Sequence, residues 1–258
     1  NSKRMYRNYK IVAVTPAGRK RYLEILYQYI RSQRKIIDEY HLWVNTKVAA
    51  DIDWMKTVHR FESNFTKLVA PAFQPDGNRT IGHFFNYCRE PNTIYVRFDD
   101  DILFMHPDVL KNLLDFRIDN REYLLTFANI MNNAVIAHYQ QKKGNFTGYG
   151  KDVSLSFKDE TGWKDPRFAE YVHNEFFKYL QQGKLEELYL DNIVLENKER
   201  FSINCFAWFG ADFAWYNVDV ANKPSEENYL SAELPAELNL KNRSEERRVG
   251  KECVSECR

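Results

Sequence analysis

The sequence predicts an α/β fold, one domain built on a mostly parallel sheet with helices on both faces. Three observations predict it. Short β-branched or aromatic runs alternate with segments whose apolar residues recur at helical spacing. One such run passes directly into three consecutive aspartates. No stretch rich in Pro, Gly or Ser divides the 258 residues, and no internal repeat appears.

The elements follow in order. Lys10–Thr15 (KIVAVT) reads as a buried strand, closed by a turn at Pro16-Ala17-Gly18. Arg21 to Ile37 carries Leu23, Leu26, Tyr27, Ile30 and Ile37 on helical spacing. Tyr40–Val44 is a second strand ending at Asn45-Thr46, and Ala50 to Val58 a short helix. Phe73 to Asn78 reads as loop and Ile81 to Cys88 as helix. Thr93–Phe98 (TIYVRF) is a strand that ends in Asp99-Asp100-Asp101, followed by a helix from Pro107 through Phe116. Tyr123–Ala128 is a strand, and Asn132 to Lys143 a helix stopped by Gly144. Asp165-Pro166 opens a helix to about Gln181, Arg200 to Phe209 contains a strand, and Ser225 caps a last short helix through Leu230.

Bulk properties narrow the function. The formal charge is +1, so no basic excess is available to neutralise nucleic-acid phosphates. No run of eighteen apolar residues is present, so no transmembrane segment is expected. The first residues, NSKRMYRNYK, have neither an initiator Met nor an apolar signal core, which reads as a fragment. Arg243 to Arg258 begins RSEERRVGKEC and resembles a translated sequencing adapter. It is set aside as an artefact expected to be disordered, leaving residues 1–242 as the domain. Cys88 and Cys205 then remain, in apolar surroundings that suit buried thiols in a reducing, cytoplasmic setting.

The aspartate triplet is the strongest chemical signal. Adjacent carboxylates repel, and chains tolerate this where water or a cation screens them. In extended backbone Asp99 and Asp101 project to one side, two hard donors suited to Mg²⁺ or Mn²⁺ beside a substrate phosphate. The alternative is a solvated acidic loop.

These residues, with the runs TPAGR (Thr15 to Arg19), YVRFDDDI (Tyr95 to Ile102), ANIMNNA (Ala128 to Ala134), GWKDPRFAEYVH (Gly162 to His173), RFSINCFAWFGADF (Arg200 to Phe213) and EENYLS (Glu226 to Ser231), carry a family resemblance. The sequence resembles GT-A glycosyltransferases, which bear a DxD motif after a core strand, and more closely an uncharacterised microbial and fungal branch of them. The resemblance extends to Asn242.

The resemblance implies a Rossmann-like GT-A fold and a metal-dependent transfer of a sugar from a nucleotide-sugar, a UDP-sugar favoured, to an unknown acceptor. It implies that Thr15, Gly18 and Arg19 hold the nucleotide, Arg19 by pairing with phosphate. Asp99 then binds nucleotide and metal, Asp100 reaches the donor sugar, and Asp101 is the main ligand of Mn²⁺ or Mg²⁺. Asn45 and Thr46, on the same rim, either bond base or ribose or cap a turn. Arg97 balances charge beside Asp99 or forms a structural ion pair. Asn129, Asn132 and Asn133 bind sugar hydroxyls or cap a helix. Glu226 is placed as the general base toward the acceptor, with Asp212 as its competitor. His173 reads as packing. His83, His106 and His138 lack ligand spacing, and no histidine follows His173 to supply the further metal ligand of many GT-A enzymes. A nucleotidyltransferase and a non-catalytic sugar-nucleotide or carbohydrate-binding module are the competing readings.

Overall fold

A computed structural model describes residues 5–191, 193–195 and 199–244. Among them, eight strands form one sheet: β1 (Lys10–Ala17), β2 (Glu39–Val44), β3 (Thr66–Val69), β4 (Thr93–Phe98), β5 (Tyr123–Phe127), β6 (Ile193–Leu195), β7 (Cys205–Phe209) and β8 (Lys241–Ser244). Their spatial order is β3-β2-β1-β4-β7-β5-β8-β6. The first four run parallel, β7 enters antiparallel between β4 and β5, β8 is parallel to β5, and β6 closes the edge antiparallel to β8. The helices are α1 (Lys20–Ser32), α2 (Ala49–Phe61), α3 (Ile81–Phe84), α4 (Val109–Asp119), α5 (Ala134–Lys142), α6 (Pro166–Gln181), α7 (Gly210–Trp215), α8 (Glu226–Asn228) and α9 (Leu234–Glu237).

β1 reads as a continuous apolar run because both its faces are covered. Val12 and Val14 face one core cluster with Trp43, Tyr95, Phe206 and Trp208. Ile11, Ala13 and Ala17 face a second, with Leu23, Leu26 and Ile30 of α1 and Leu110, Leu113 and Leu114 of α4. The α8–α9 segment covers the first face through Tyr229, Leu230 and Leu234. The expected α/β fold with a mostly parallel sheet is therefore present, four of seven pairings being parallel.

Several boundaries differ from the sequence expectation. β1 continues through Pro16, which pairs in register with Trp43, so the turn starts only at Gly18. α1 ends at Ser32, and Ile37 is buried from the turn leading into β2. β3 lies in a stretch without period-two patterning, and β6 and β8 are only three and four residues long. β8 runs across the expected domain boundary: Arg243 and Ser244 are paired with β5 and β6, while residues 245–258 lie outside the described residues. Asn242 is buried and sews this edge together, accepting from Leu125 N–H and donating to the carbonyls of Leu230 and Ser231. Cys88 and Cys205 are buried free thiols. Among the described residues no helix is long and apolar enough to cross a membrane.

Candidate functional site at the rim of the central strand

The parallel register puts the carboxyl ends of β1, β2 and β4 on one rim, the edge where open α/β sheets bind ligands. β7 is antiparallel, so its start, with Asn204 just before it, reaches the same rim, Cys205 lying opposite Phe98. Asp99, Asp100 and Asp101 follow β4 in a tight turn rather than in extended backbone, with Ile102 N–H directed at the Asp99 carbonyl. The expectation that Asp99 and Asp101 share one side therefore fails.

The turn divides the acids between the two faces of the sheet. Asp99 lies toward the α8 face. Its Oδ1 accepts from Arg97 Nε and Nη2 at 3.2 and 3.0 Å, and its Oδ2 from Asn204 Nδ2 at 2.6 Å. Asp100 and Asp101 lie toward the α1 face. Asp100 accepts from Gly18 N–H at 3.2 Å and from Arg19 Nε at 2.9 Å, with Arg19 Nη2 also on Oδ1. Arg19 Nη2 stands 3.3 Å from Asp101 Oδ2. Burial pushes the Asp100 carboxyl above its ordinary value, with Arg19 opposing the shift.

Arg97 is the hinge of the second half of the site. It lies on the face of β4 that carries Tyr95, its side chain is 4% exposed, and its Nη1 donates to Glu226 Oε2 at 2.9 Å. Burial alone pulls the guanidinium down, but Glu226 and Asp99 outweigh it, so the arginine is held charged. Glu226 opens α8, whose Ser225 caps the backbone by accepting from Asn228 N–H. Burial raises the Glu226 carboxyl to about 7 against the pull of Arg97.

Three of the expected nucleotide contacts, Thr15, Asn45 and Thr46, are engaged in structure. Thr15 is fully buried and its hydroxyl accepts from Tyr40 at 2.9 Å, because β1 extends past it into the core. Asn45 donates to the Gly77 carbonyl and accepts from Thr80, tying down the turn at 77–80. Thr46 accepts from Val48 N–H at the start of α2. Gly18 has room for a Cβ in ordinary contact, so its use here is the N–H on Asp100 rather than its small size. Asn133 caps α5, and Asn129 accepts from Ser244. Asp212 is at the other end of the sheet: α7 follows Phe209, which pairs with Ile94 at the start of β4. There Arg121 approaches it at 3.9 Å. It is not part of the rim. Asn204 was missed by sequence reasoning, since only the antiparallel entry of β7 delivers it to Asp99.

Asp99 does not face a shared cation position as arranged, its oxygens being filled by Arg97 and Asn204, whereas Asp100 Oδ1 and Asp101 Oδ2 both approach Arg19 Nη2. Among the described residues no group of three His, Cys, Asp or Glu side chains converges on a metal position. Asp101 and Asp99 stay an expected metal pair, and in this arrangement arginines reach them from two sides.

No protein-family model matches the chain, and no curated protein matches it. Solved structures do. A mannosyltransferase from Pyrobaculum calidifontis, in complex with GDP-Man and Mn²⁺, is 10% identical over 93% of this chain and 56% of its own, with TM-score 0.51. A mycobacterial protein is 11% identical over 97% and 70%, also at 0.51. A CMP:2-keto-3-deoxy-manno-octonic acid synthetase complexed with CTP is 12% identical over 91% and 88%, at 0.47. The chain thus spans little more than half of the mannosyltransferase. The similarity to the mannosyltransferase, at 0.51, shows a GT-A-like, Rossmann-like fold.

Proposed function

We propose that the chain is a glycosyltransferase that uses a nucleotide-sugar, with the donor diphosphate at the rim between the Gly18-Arg19 loop and the acidic turn. The observation that carries this reading is the meeting of Arg19 with Asp100 and Asp101 at the carboxyl ends of β1 and β4. A half-exposed guanidinium suits a phosphate oxygen. The mannosyltransferase of like fold holds GDP-Man, a nucleotide-sugar, in support of this substrate class.

Glu226 is the proposed base. Its carboxyl titrates near 7, the range in which a carboxylate takes a proton efficiently at neutral pH. It takes the proton of an acceptor hydroxyl as that oxygen bonds to the anomeric carbon. The bond from that carbon to the phosphate oxygen breaks, and the nucleoside diphosphate leaves with the electron pair. Arg97 is a positioning residue, fixing Glu226 relative to the rim. No step is assigned to a cation; Mn²⁺ or Mg²⁺ would be held by Asp101, whose Oδ2 stands 3.3 Å from Arg19 Nη2, and would supply charge neutralisation of the leaving diphosphate.

Titration of the protein with UDP, GDP and CDP, with and without Mn²⁺, tests the reading. Binding of one nucleoside diphosphate, weakened in Asp100→Ala, is expected. No binding of any of the three, in either condition, sinks it. Binding that requires Mn²⁺ and is lost in Asp101→Ala restores the cation to the site. Turnover of a nucleoside triphosphate with pyrophosphate release, in place of sugar transfer, identifies a nucleotidyltransferase.

A further inference from the structure

A cavity of about 300 Å³ opens beside the end of α8, where Asn228 lines it. Its apolar wall comes from Val135, Leu195 and the rings of Tyr139 and Phe157, and its polar wall from Arg200 and Asn228. Three features define what it takes. Its volume is at the small end for ligand sites, enough for a single ring and too little for a nucleotide. Its one guanidinium is already matched: Arg200 donates through Nε and Nη2 to Glu227 Oε1 at 2.9 and 2.8 Å, and its flat face lies 4.0 Å over the Phe157 ring. With Glu199 also on the wall, no surplus positive charge is present among the described lining residues to attract a phosphate. Apolar surface on one side and hydrogen-bonding groups on the other match a pyranose, whose C–H face is apolar and whose edge is ringed with hydroxyls.

The cavity is also wired to the rim. Glu227, which holds Arg200, is the neighbour of Glu226, which holds Arg97, which holds Asp99. Asn228, two residues on, lines the cavity itself. The short helix α8 therefore has its first residue at the acidic turn and its last at the cavity.

We propose that this cavity binds a neutral sugar ring, and that its occupant is the acceptor of the transfer. The acceptor role rests on the function proposed above, whereas the binding of a sugar does not. Saturation-transfer NMR with methyl α- and β-pyranosides of glucose, mannose and galactose tests it. Leu155, half-exposed at the mouth, allows the cavity to be filled without touching the core. Saturation transfer from the wild-type protein to at least one glycoside is expected. Leu155→Trp and Phe157→Ala are expected to weaken it at least tenfold, while Asp101→Ala leaves it unchanged. No transfer to any of the six glycosides overturns the site, as does transfer that persists undiminished in Leu155→Trp. Glycoside binding that follows this pattern in a protein that binds no nucleoside diphosphate upholds the sugar site and sinks the transferase reading alone.

Discussion

Arg97 Nη1 donates to Glu226 Oε2 across 2.9 Å, joining a central strand to a three-residue helix 129 positions later in the chain. The same guanidinium holds Asp99, so one buried cation answers two carboxylates. Arg97→Met keeps most of the side chain's volume but leaves both acids without it. Removing one partner of a buried ionic cluster costs about 3 kcal/mol or more. Urea denaturation at pH 7.5 is expected to show a loss of that order. Glu226→Gln in the Arg97→Met background is expected to recover part of it, since the two positions are directly coupled. Additive losses in the double variant would show that the contact is energetically idle.

Glu226 gives the fold a pH dependence of definite sign. Its carboxyl is raised from 4.5 to about 7, so the folded state keeps a proton that the unfolded chain has released. The stabilisation it supplies is complete below about 4.5 and is lost as pH rises to about 7. A shift of this size corresponds to at most about 3 kcal/mol. Unfolding midpoints in urea from pH 4.5 to 8 are expected to fall more for the wild-type protein than for Glu226→Gln, which cannot ionise. Parallel curves would remove the buried carboxyl from the account. In turnover assays, activity is expected to rise through pH 7 and to be lost in Glu226→Gln.

Thr15 separates structure from binding. Its hydroxyl meets Tyr40 in the core, where Thr15→Val leaves the Tyr40 hydroxyl without that partner. A loss of about 1–3 kcal/mol is expected in thermal or urea unfolding, with affinity for UDP and GDP unchanged. A tenfold weaker affinity at full stability would return Thr15 to the nucleotide site.

Period and punctuation made the parallel half of the sheet legible. β1, β2 and β4 carry dense β-branched or aromatic runs, and α1 and α6 show clear apolar stripes. The triplet at the end of β4 and the helix cap at Ser225 were equally visible. What lay beyond reach was direction and pairing. A strand's sequence does not say which way it enters a sheet, so Asn204 and Asp212 exchanged importance once β7 proved antiparallel. Nor does a DDD string reveal whether its carboxylates converge: that depended on a turn at Asp100-Asp101, on Arg19, 81 residues before Asp100, and on Arg97, two residues before Asp99. β3, β6 and β8 are too short for any periodicity to register.

Arg19 allows binding and stability to be pulled apart. It pairs with Asp100, which is buried, while its own side chain is about half exposed. Arg19→Ala is expected to weaken the nucleoside diphosphate at least tenfold, the scale of one lost charge-assisted hydrogen bond. It is also expected to destabilise the fold by about 1–2 kcal/mol, because Asp100 keeps only the Gly18 N–H of those contacts. Arg19→Ala with Asp100→Asn removes the stranded charge, so stability is expected to return while affinity stays low. Arg19→Lys retains the charge without the planar fork, and an intermediate affinity is expected. The two properties report different groups: calorimetric titration reads the phosphate contact, and urea unfolding reads the carboxylate. If the double variant binds UDP and GDP as tightly as the wild-type protein, Arg19 serves only as the counter-ion of the acidic turn, and the diphosphate has to be held elsewhere on the rim.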